Sequence, residues 1–300
     1  MAVRAVPSAC MALQSISALR GGFAAGLYAG GCDSFFETDS MRADQLLVDQ
    51  GLAASRAQAQ RLIASGVEWR TAATGQWQAI KKNSEDLAAD AELRLLDVAE
   101  ARYVSRGGLK LEGALAAFEV PAEGKWCLDV GQSTGGFTDC LLQQGAARVV
   151  GVDVGHDQLN LALRGHERIV CLERVNARTL DLDTLLDAGA FEGAPDESQQ
   201  FDLIVGDLSF ISQTLVLPAV VPFLARGGDL LMLVKPQFEL QPEHIGKGGL
   251  VRDPASYAVV EKRIRECLAE LGLEVRGWID SPITGGDGNR EFFVHARRSA

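Results

Sequence analysis

The chain has little of what marks a disulfide scaffold, a zinc protein or a membrane protein. Its 300 residues include six cysteines and four histidines. No two cysteines form a Cys-x-x-Cys pair, and the histidines are scattered without metal-ligand spacing. This pattern is typical of a reduced cytosolic protein with neither a disulfide framework nor a zinc site. No apolar run is long enough to span a bilayer. We therefore expect no metal, no membrane span and a cytoplasmic location.

Positive charge is also scarce, because 40 acidic residues outnumber 29 basic ones and the formal net charge is −11. Such a balance argues against a generally basic nucleic-acid coat protein. Any contact with RNA would have to use a local basic face and would be sensitive to salt. Hydrophobic residues make up 47% of the chain and charged residues 23%, so the composition predicts a substantial core. The length allows one large or two modest domains.

The first forty residues differ from the rest of the chain. Up to Cys32 there is no acidic residue, and the only charged side chains are Arg4 and Arg20. One interpretation is a targeting peptide. Polar residues and Gly21-Gly22 interrupt the apolar stretch, however, so it makes a poor secretory core. We favour a disordered extension over residues 1–40, ahead of a domain that begins at Met41.

Residues 41–100 have the pattern of a small α+β unit. A first helix is predicted over 44–50, with a glycine directly after it. Ser55 and Gln58 have the spacing of a capping box, which predicts the start of a second helix with an apolar stripe. Three short strands are predicted after that helix, at 67–70, 77–80 and 93–96.

Residues 42–67 resemble the small RNA-binding module first described in ribosomal protein S-four. The motifs that carry this resemblance are Arg42-x-Asp44-x-Leu46-Leu47, Gly51-Leu52-x-x-Ser55-Arg56-x-x-Ala59 and Ile63-x-x-Gly66-Val67. The resemblance implies that Arg42, Arg56 and Arg61 contact RNA. A solubilising surface is the alternative role for these three arginines.

Residues 101–300 alternate between strand and helix patterns, which predicts a doubly wound sheet that ends in a hairpin. The predicted strands lie at 127–130, 149–153, 168–172, 202–206, 229–234, 274–280 and 291–297. The predicted helices lie at 157–164, 181–188, 212–225 and 256–271, and a polar surface loop is expected at 192–200.

A glycine-rich turn follows the first of these strands. Its spacing does not fit the dinucleotide fingerprint, because Ser133 stands where that fingerprint has its second glycine. The pattern Asp-x-Gly-x-x-x-Gly-Gly resembles the first motif of S-adenosylmethionine-dependent methyltransferases instead. Asp153 ends the next strand, where an acid would hold a nucleoside ribose. An ordinary strand-turn-helix in another doubly wound domain remains the alternative.

Four more charged residues lie at or near the ends of predicted strands or ahead of the sheet. Asp207 and Lys235 each come directly after such a strand, Glu291 begins the last strand, and Lys110 precedes the sheet. Ligands of open α/β sheets bind outside the carboxyl ends of the strands, which favours a site here over surface salt bridges. A lysine that has lost its proton could accept one from a sugar hydroxyl.

Taken together, the motifs closely resemble the TlyA-type family, also called hemolysin A proteins, of ribosomal-RNA 2′-O-methyltransferases related to FtsJ-like enzymes. The motifs are Ser105-Arg106-Gly107-Gly108-x-Lys110-Leu111, Asp129-x-Gly131-x-Ser133-Thr134-Gly135-Gly136-Phe137-Thr138, Asp207-Leu208-Ser209-Phe210-Ile211-Ser212, Val234-Lys235-Pro236-Gln237-Phe238-Glu239 and Gly288-Asn289-x-Glu291-Phe292. The resemblance implies an α/β fold: a class I, Rossmann-like methyltransferase domain over 101–300 behind a small α+β RNA-binding domain over 41–100.

The same resemblance implies roles for individual residues. Lys110, Asp207, Lys235 and Glu291 would form a catalytic tetrad, with Lys235 as the base for the ribose hydroxyl. S-adenosylmethionine would be held by Asp129, Gly131, Ser133, Thr134, Gly135, Gly136, Phe137, Thr138, Asp153, Asn176 and Asp207. Arg106 would join the RNA-binding arginines Arg42, Arg56 and Arg61. Gln132 stands where the family usually has a small residue.

Three functions are therefore open at this point. The family implies methylation of ribosomal RNA, at cytidine, with ribosomal RNA or ribosomal subunits as the partner. A membrane-active hemolysin is a second possibility, which the family name suggests. A non-catalytic RNA-binding factor in ribosome assembly is the third, and it would tolerate loss of Lys235.

Overall fold

The structure is a computed structural model that describes residues 40–71, 75–96, 102–194, 198–285 and 288–300. The extension predicted over residues 1–40 lies outside these ranges, apart from Ser40, which begins a strand. The loop predicted at 192–200 is described only in part.

The first part of the chain forms two helices and two small antiparallel sheets. Its elements are β1 (Ser40–Arg42), α1 (Ala43–Asp49), α2 (Arg56–Gly66), β2 (Val67–Arg70), β3 (Gln78–Ala79), β4 (Asp86–Ala88) and β5 (Glu92–Leu95). β1 pairs with β4, and β2 lies between β3 and β5. Leu47 and Leu62 of the two helices pack in one core with Val67 and Leu87 of the strands. The predicted helices and the three predicted strands are confirmed. The β1–β4 pair was missed, because three-residue strands are too short to show an alternating pattern.

The start of α2 shows how far the predicted capping box holds. Ser55 Oγ accepts a hydrogen bond from the Gln58 amide at 3.3 Å, as predicted. Gln58 Oε1 accepts from the Ala54 amide at 2.7 Å, one residue before the amide that a capping box uses. Gln58 Nε2 donates to the Tyr103 carbonyl oxygen at 3.1 Å. This buried glutamine therefore ties α2 to the beginning of the next segment.

The rest of the chain forms a seven-stranded sheet with helices on both faces. Its strands are β6 (Trp126–Val130), β7 (Arg148–Asp153), β8 (Ile169–Glu173), β9 (Phe201–Asp207), β10 (Leu224–Val234), β11 (Leu273–Asp280) and β12 (Phe292–Arg298). Its helices are α3 (Gly107–Ala117), α4 (Gly136–Gln143), α5 (Leu182–Asp187), α6 (Leu217–Val220), α7 (Pro236–Glu239) and α8 (Ser256–Glu270). The strand order is β11-β12-β10-β9-β6-β7-β8.

Strands β6 to β10 run parallel, and β12 joins them antiparallel and carries β11 at the edge. Every residue of β6 is buried. Alternate side chains of the parallel strands enter two cores: Leu128 packs with Ile264 of α8 on one face, and Leu203 packs with Leu111 of α3 on the other. Such burial on both faces explains the continuous apolar runs in the sequence. The predicted doubly wound sheet with a final hairpin is confirmed.

The helix predicted over 157–164 is wrong, because this segment is a series of turns. Asp157 has φ +57°, outside the helical region. Asn160 Oδ1 accepts from the Ala162 amide at 2.9 Å, which offers the backbone a partner that competes with a helix. Arg164 Nε donates to the Leu159 carbonyl oxygen at 2.9 Å. Polar side chains thus bond the local backbone in place of helical partners.

The helix predicted over 212–225 is broken into pieces. A 3-10 helix at Gln213–Leu215, α6, and a second 3-10 helix at Val221–Phe223 follow one another. Pro218 and Pro222 lie near the starts of the last two, where a missing backbone N–H costs least. Leu224 already belongs to β10, so the apolar residues at the end of the predicted helix form a strand.

Candidate active site

The sheet register brings three of the four predicted catalytic side chains to one edge. Asp207 ends β9 and lies in the last paired position of β9 with β10. Lys235 follows Val234, which pairs with Phe292 of β12, and Glu291 directly precedes Phe292. Because β9 and β10 are parallel and β12 is antiparallel to them, these positions all lie at the carboxyl edge of the parallel strands.

Two lysine–carboxylate pairs occupy this edge. Lys235 Nζ lies 2.5 Å from Asp207 Oδ1 and donates a hydrogen bond to Ser209 Oγ at 2.9 Å. Lys110 Nζ, brought by α3, lies 2.5 Å from Glu291 Oε2. The second pair is the more deeply buried, since the Glu291 side chain is 3% exposed and that of Asp207 is 23% exposed. The Lys235–Asp207 pair is therefore the one that a ligand can reach.

The Asp207 carboxylate is not fully satisfied by its lysine. Its Oδ1 atom is buried and has no aligned hydrogen-bond donor, although Lys235 Nζ is close. A buried polar atom without an aligned partner is uncommon and calls for an explanation, of which a role in binding or catalysis is one.

The glycine-rich turn lies beside these pairs and depends on its glycines. Gly131 and Gly135 have φ +86° and +89°, a region that side chains rarely adopt. A Cβ atom on Gly131 would lie 2.8 Å from the Asp207 carbonyl oxygen, and one on Gly135 would lie 2.5 Å from Leu163 Cδ1. The turn is thus pressed against the end of β9, and α4 begins at its far side.

A cleft in two parts surrounds the turn. The larger cavity, about 560 Å³, is lined by Gly131, Ser133, Val152, Asp153, Val154, Gln158, Val175, Asn176, Ala177, Arg178, Asp207, Leu208, Ser209, Phe210, Ile211 and Val216. The smaller cavity, about 190 Å³, is lined by Ser105, Gly107, Gly131, Gln132, Ser133, Thr134, Gly136, Phe137, Asp207, Ser209 and Lys235. Gly131, Ser133, Asp207 and Ser209 line both, so the cavities meet at the turn and at the Lys235–Asp207 pair.

Most residues predicted to hold the donor line this cleft. They are Gly131, Ser133, Thr134, Gly136, Phe137, Asp153, Asn176 and Asp207. Sequence reasoning missed the cleft residue Gln158, which has no pattern of its own. It quoted Leu208, Ser209 and Phe210 within a motif and gave them no role.

Asp129, Gly135 and Thr138 do not line the cleft. Asp129 is fully buried beneath the turn. Thr138 Oγ1 donates to Asp129 Oδ2 at 2.7 Å and accepts from Gln132 Nε2 at 2.9 Å. Burial raises the pKa of Asp129 to about 7, against the opposing effect of the Thr138 hydrogen bond. Gln132, Thr138 and Asp129 thus form an internal hydrogen-bond chain beneath the turn.

The carboxylate of Asp153 is hydrogen-bonded to backbone amides, one of them in the glycine-rich turn. Its Oδ2 atom accepts from the Ser133 amide at 2.7 Å, and its Oδ1 atom accepts from the Gly155 amide at 2.7 Å. It also lines the larger cavity. The carboxylate therefore holds the backbone of Ser133 in place at the cleft wall.

A second polar cluster is centred on Asp44 of α1. Its Oδ1 atom accepts from Arg42 Nε at 3.0 Å. Its Oδ2 atom accepts from Arg56 Nη2 at 3.0 Å and from Gln60 Nε2 at 3.1 Å. The hydrogen bond from Arg42 holds the pKa of Asp44 well below its usual range and outweighs the effect of burial. The two arginine side chains are about half exposed, so they cover the carboxylate and still face solvent.

A groove of about 650 Å³ lies beside this cluster, lined by Arg42, Gln60, Ile63, Ala64, Lys81, Lys82, Asn83 and Ser84. Of the arginines predicted to bind RNA, Arg42 alone lines this groove. Arg61 donates to the Ala57 carbonyl oxygen on its own helix, and Arg106 donates to the Thr284 carbonyl oxygen. Lys81 and Lys82 were missed, although two adjacent lysines in a loop are a visible signal.

Within the described ranges, no three or more His, Cys, Asp or Glu side chains are grouped as a metal site would require. The helices described here also include none with the length and apolar character needed to cross a membrane.

A family model of FtsJ-like methyltransferases matches residues 103–298 of the chain. This chain belongs to the FtsJ-like methyltransferase family. The matched range contains the whole seven-stranded sheet, the glycine-rich turn and all four members of the predicted tetrad.

Relatives at higher identity cover most of the chain. A candidate rRNA methyltransferase, YqxC of Bacillus subtilis, is 44% identical over 85% of this chain and 84% of its own length. The 16S/23S rRNA (cytidine-2′-O)-methyltransferase TlyA of Mycobacterium tuberculosis is 41% identical over 85% of this chain and 89% of its own. A solved structure of a candidate hemolysin from Streptococcus thermophilus superposes with a TM-score of 0.63 at 38% identity, covering 87% of this chain and 90% of its own. The predicted membership of the TlyA-type family is therefore confirmed.

Proposed function

We propose that this chain transfers a methyl group from S-adenosylmethionine to the ribose 2′-hydroxyl of a cytidine in ribosomal RNA. The observation that carries the proposal is the Lys235–Asp207 pair, which stands where the two parts of the cleft meet. The 41% identity to a relative named as an rRNA (cytidine-2′-O)-methyltransferase supports the choice of substrate. Action on ribosomal RNA would place the protein in the cytoplasm.

The cleft fits the proposed donor. The larger cavity has an acid, Asp153, at the end of β7, the position that holds a ribose in related folds. Exposed Val154 follows it and offers an apolar contact for a base. The turn backbone at Gly131 comes close to β9 only because no side chain intervenes. When bound, S-adenosylmethionine would supply a methyl group that is already activated for transfer.

The residues beside the donor would align and activate the acceptor hydroxyl. Lys235 is held by Asp207 and Ser209, so its ammonium group has a defined position at the smaller cavity. In that position it can orient the 2′-hydroxyl or, once deprotonated, accept its proton. The Lys110–Glu291 pair is nearly closed to solvent and would support this edge electrostatically. Much of the rate would come from alignment, because the methyl group needs little further activation.

Residues 41–100 would bring the RNA to residues 101–300, where the chemistry takes place. The groove beside Asp44 offers Arg42, Lys81 and Lys82 to phosphate groups. The net charge of −11 opposes RNA at long range, so this local basic groove would have to carry the attraction. The proposed binding would therefore weaken steeply with salt.

Replacement of Lys235 tests this proposal. Lys235→Ala should lower methyl transfer by roughly two to four orders of magnitude, the range for a general acid or base. Donor affinity should persist, because the glycine turn is untouched. Lys235→Arg should not restore activity, since a guanidinium remains protonated. The measurement is transfer of labelled methyl to separated ribosomal subunits, followed by mapping of the modified nucleotide.

Lys125→Ala is the matched control. Like Lys235, Lys125 pairs with an aspartate, in this case the buried Asp229 at 3.1 Å, but at the opposite end of the sheet. We expect this variant to keep its activity. No methyl transfer by the wild type would favour a non-catalytic assembly factor. Full activity of Lys235→Ala would show that the chemistry does not need Lys235, and full activity of Lys235→Arg would rule out the role as base and leave Lys235 to position the hydroxyl.

A further inference from the structure

The loop that follows β9 and the short helix α7 that follows β10 are joined by one buried side chain. Glu239, the last residue of α7, is 2% exposed. Its Oε1 atom accepts from the Gln213 amide at 2.7 Å, and its Oε2 atom accepts from Ser212 Oγ at 2.6 Å. This carboxylate therefore holds the far end of the loop, which begins at Asp207.

Further contacts from Arg263 and Gln213 hold Glu239 and the end of the loop in place. Arg263 of α8 donates through Nη1 to the Glu239 carbonyl oxygen at 2.6 Å, and its Nη2 atom lies 3.7 Å from Glu239 Oε2. Gln213 Nε2 donates to the Leu233 carbonyl oxygen at 2.6 Å, in the strand that delivers Lys235. The loop is therefore bonded to the end of β10 and to the helix that begins directly after Lys235.

The middle of the loop carries the groups that face the cleft. Ser209 accepts a hydrogen bond from Lys235 Nζ. Phe210 has φ +63°, a strained conformation for an aromatic residue, and its ring centroid lies 5.0 Å from that of Phe238 in α7. Strained residues persist only where the surrounding structure holds them. The hydrogen bonds of Ser212 and Gln213 with Glu239 lie three and four residues beyond Ser209 and can hold Phe210 in this conformation.

We propose that Glu239 is a positioning residue for methyl transfer. It locks the 207–213 loop to α7 and so places the Ser209 hydroxyl that orients Lys235. This inference rests on the proposed function, in which Lys235 acts on the ribose hydroxyl. Glu239 itself touches neither the cleft nor any predicted substrate position, and its effect passes through Ser209.

A double-mutant cycle between Glu239 and Ser209 tests this proposal on the full-length protein. Single-turnover transfer of labelled methyl from S-adenosylmethionine to separated ribosomal subunits is measured for Glu239→Ala, Ser209→Ala and the double variant. We expect each single change to lower the rate about tenfold and the double variant to be about as slow as either, because residues that act as a unit are not additive. Donor affinity, measured by calorimetry, should stay within about twofold of the wild type. Independent effects, with a loss of about a hundredfold in the double variant, would overturn the proposal.

Two further variants separate positioning from a general loss of structure. Glu239→Gln keeps the shape of the side chain and one oxygen that can accept from the Gln213 amide, so it should restore part of the rate. Asp229→Ala is the matched control, since it removes another buried carboxylate that bonds Lys125 and His295 at the other end of β10. It should destabilise the protein and leave the single-turnover rate unchanged. An equal rate loss in Asp229→Ala would reduce Glu239 to a structural residue.

The same assay distinguishes failure of this inference from failure of the proposed function. A wild-type protein that methylates no ribosomal subunit would refute the proposed function. A wild-type protein that methylates while Glu239→Ala is equally fast would refute the positioning role alone. If Glu239→Ala does not fold, Ser212→Ala replaces it in the double-mutant cycle, because this change removes one of the two hydrogen bonds between the loop and the Glu239 carboxylate.

Discussion

The two parts of the molecule each bury one aspartate completely, and the two carboxyl groups shift in opposite directions. Asp44, in the small module, has its pKa held well below the usual range by hydrogen bonds from Arg42, Gln60 and Arg56. Asp129, beneath the glycine turn, has its pKa raised to about 7 by burial. Neither side chain is accessible to solvent. The direction of each pKa shift therefore depends on whether desolvation or hydrogen bonding is the larger effect at that carboxylate.

The opposite pKa shifts of Asp44 and Asp129 follow from the side chains around each carboxylate. The cover over Asp44 consists of half-exposed charged side chains, so the ionised carboxylate loses little solvation and gains charged donors. Asp129 is fully buried in β6, where its hydrogen bonds come from Thr138 and the charges of Asp207 and Asp153 disfavour ionisation further. The ionised form is thus favoured at Asp44 and disfavoured at Asp129. The first arrangement leaves the arginines facing solvent, and the second supports the turn with a carboxyl group whose pKa is raised to about 7.

The largest expected effect is a pH-dependent one at Asp129. The folded pKa of about 7 lies above the ordinary value of 3.8, so the folded state holds a proton that the unfolded state has lost between these values. The stability of the wild type relative to Asp129→Asn should therefore fall as pH rises through this window. Between about pH 5 and pH 7 the loss is about 3 kcal/mol at most, and above about pH 7 it levels off. Urea unfolding of both proteins across this range gives the difference.

Asp129→Asn is a fair reference because the asparagine oxygen can still accept a hydrogen bond from Thr138 Oγ1. Other titrating groups are common to both proteins and cancel in the difference. Curves that run parallel from about pH 5 to pH 8 would show that Asp129 is ionised in the folded protein, contrary to the shift.

A smaller effect of opposite sign is expected at Asp44. Its lowered pKa means that the ionised carboxylate stabilises the fold above about pH 4 and that this contribution is lost as pH falls further. Asp44→Asn should lower the free energy of unfolding by about 2 kcal/mol at neutral pH, the scale of hydrogen bonds to charged groups. The difference between wild type and variant should shrink below about pH 4. Asp49→Asn, on the same helix and exposed, is the control that should change little.

RNA affinity of Asp44→Asn tests why the arginines are paired. If the carboxylate orients Arg42 and Arg56 for phosphate contacts, the variant should bind RNA more weakly than Asp49→Asn. If net charge alone governs binding, both variants should bind slightly more tightly, because each loses one negative charge. The comparison of the two at equal salt concentration decides between these interpretations.

The sequence allowed the carboxyl edge to be predicted because strand ends are visible in it. Apolar runs end at Asp153, Asp207 and Lys235, and topology brings such ends together. The partners of these side chains were not predictable from local pattern. The bond between Lys235 and Ser209 joins residues 26 positions apart, and that between Lys110 and Glu291 joins residues 181 apart.

Burial and local competition account for what was missed or wrong. Asp129 belongs to a motif that was predicted to bind the donor, and its side chain is fully buried and does not line the cleft. A strand that is buried on both faces does not reveal from its sequence which face meets the ligand. The turns over 157–164 depend on the Asn160 side chain bonding its own backbone. A pattern of apolar and polar residues does not show this competition, so a helix was predicted where turns form.

The smallest expected effect concerns Gln132, in the turn above Asp129. Gln132 is 4% exposed, and its side chain fills the space left by the missing side chain of Gly151: a Cβ atom there would lie 2.0 Å from Gln132 Cδ. The residue that departs from the family pattern is therefore directed inward, where it bonds Thr138. Gln132→Ala should cost about 1 kcal/mol of stability, the scale of one hydrogen bond, and change donor affinity by less than about threefold.

Gly151→Ala should cost about the same, since the flexible Gln132 side chain can move aside but would lose its bond to Thr138. The two changes remove one interaction, so the double variant should lose about 1 kcal/mol and not about 2. Urea unfolding measures the cycle, and calorimetry measures donor affinity. Additive losses would mean that Gln132 and Gly151 act separately. A large fall in donor affinity for Gln132→Ala would mean that this side chain contacts the donor, and the hydrogen-bond chain from Gln132 through Thr138 to Asp129 would then be part of the binding site itself.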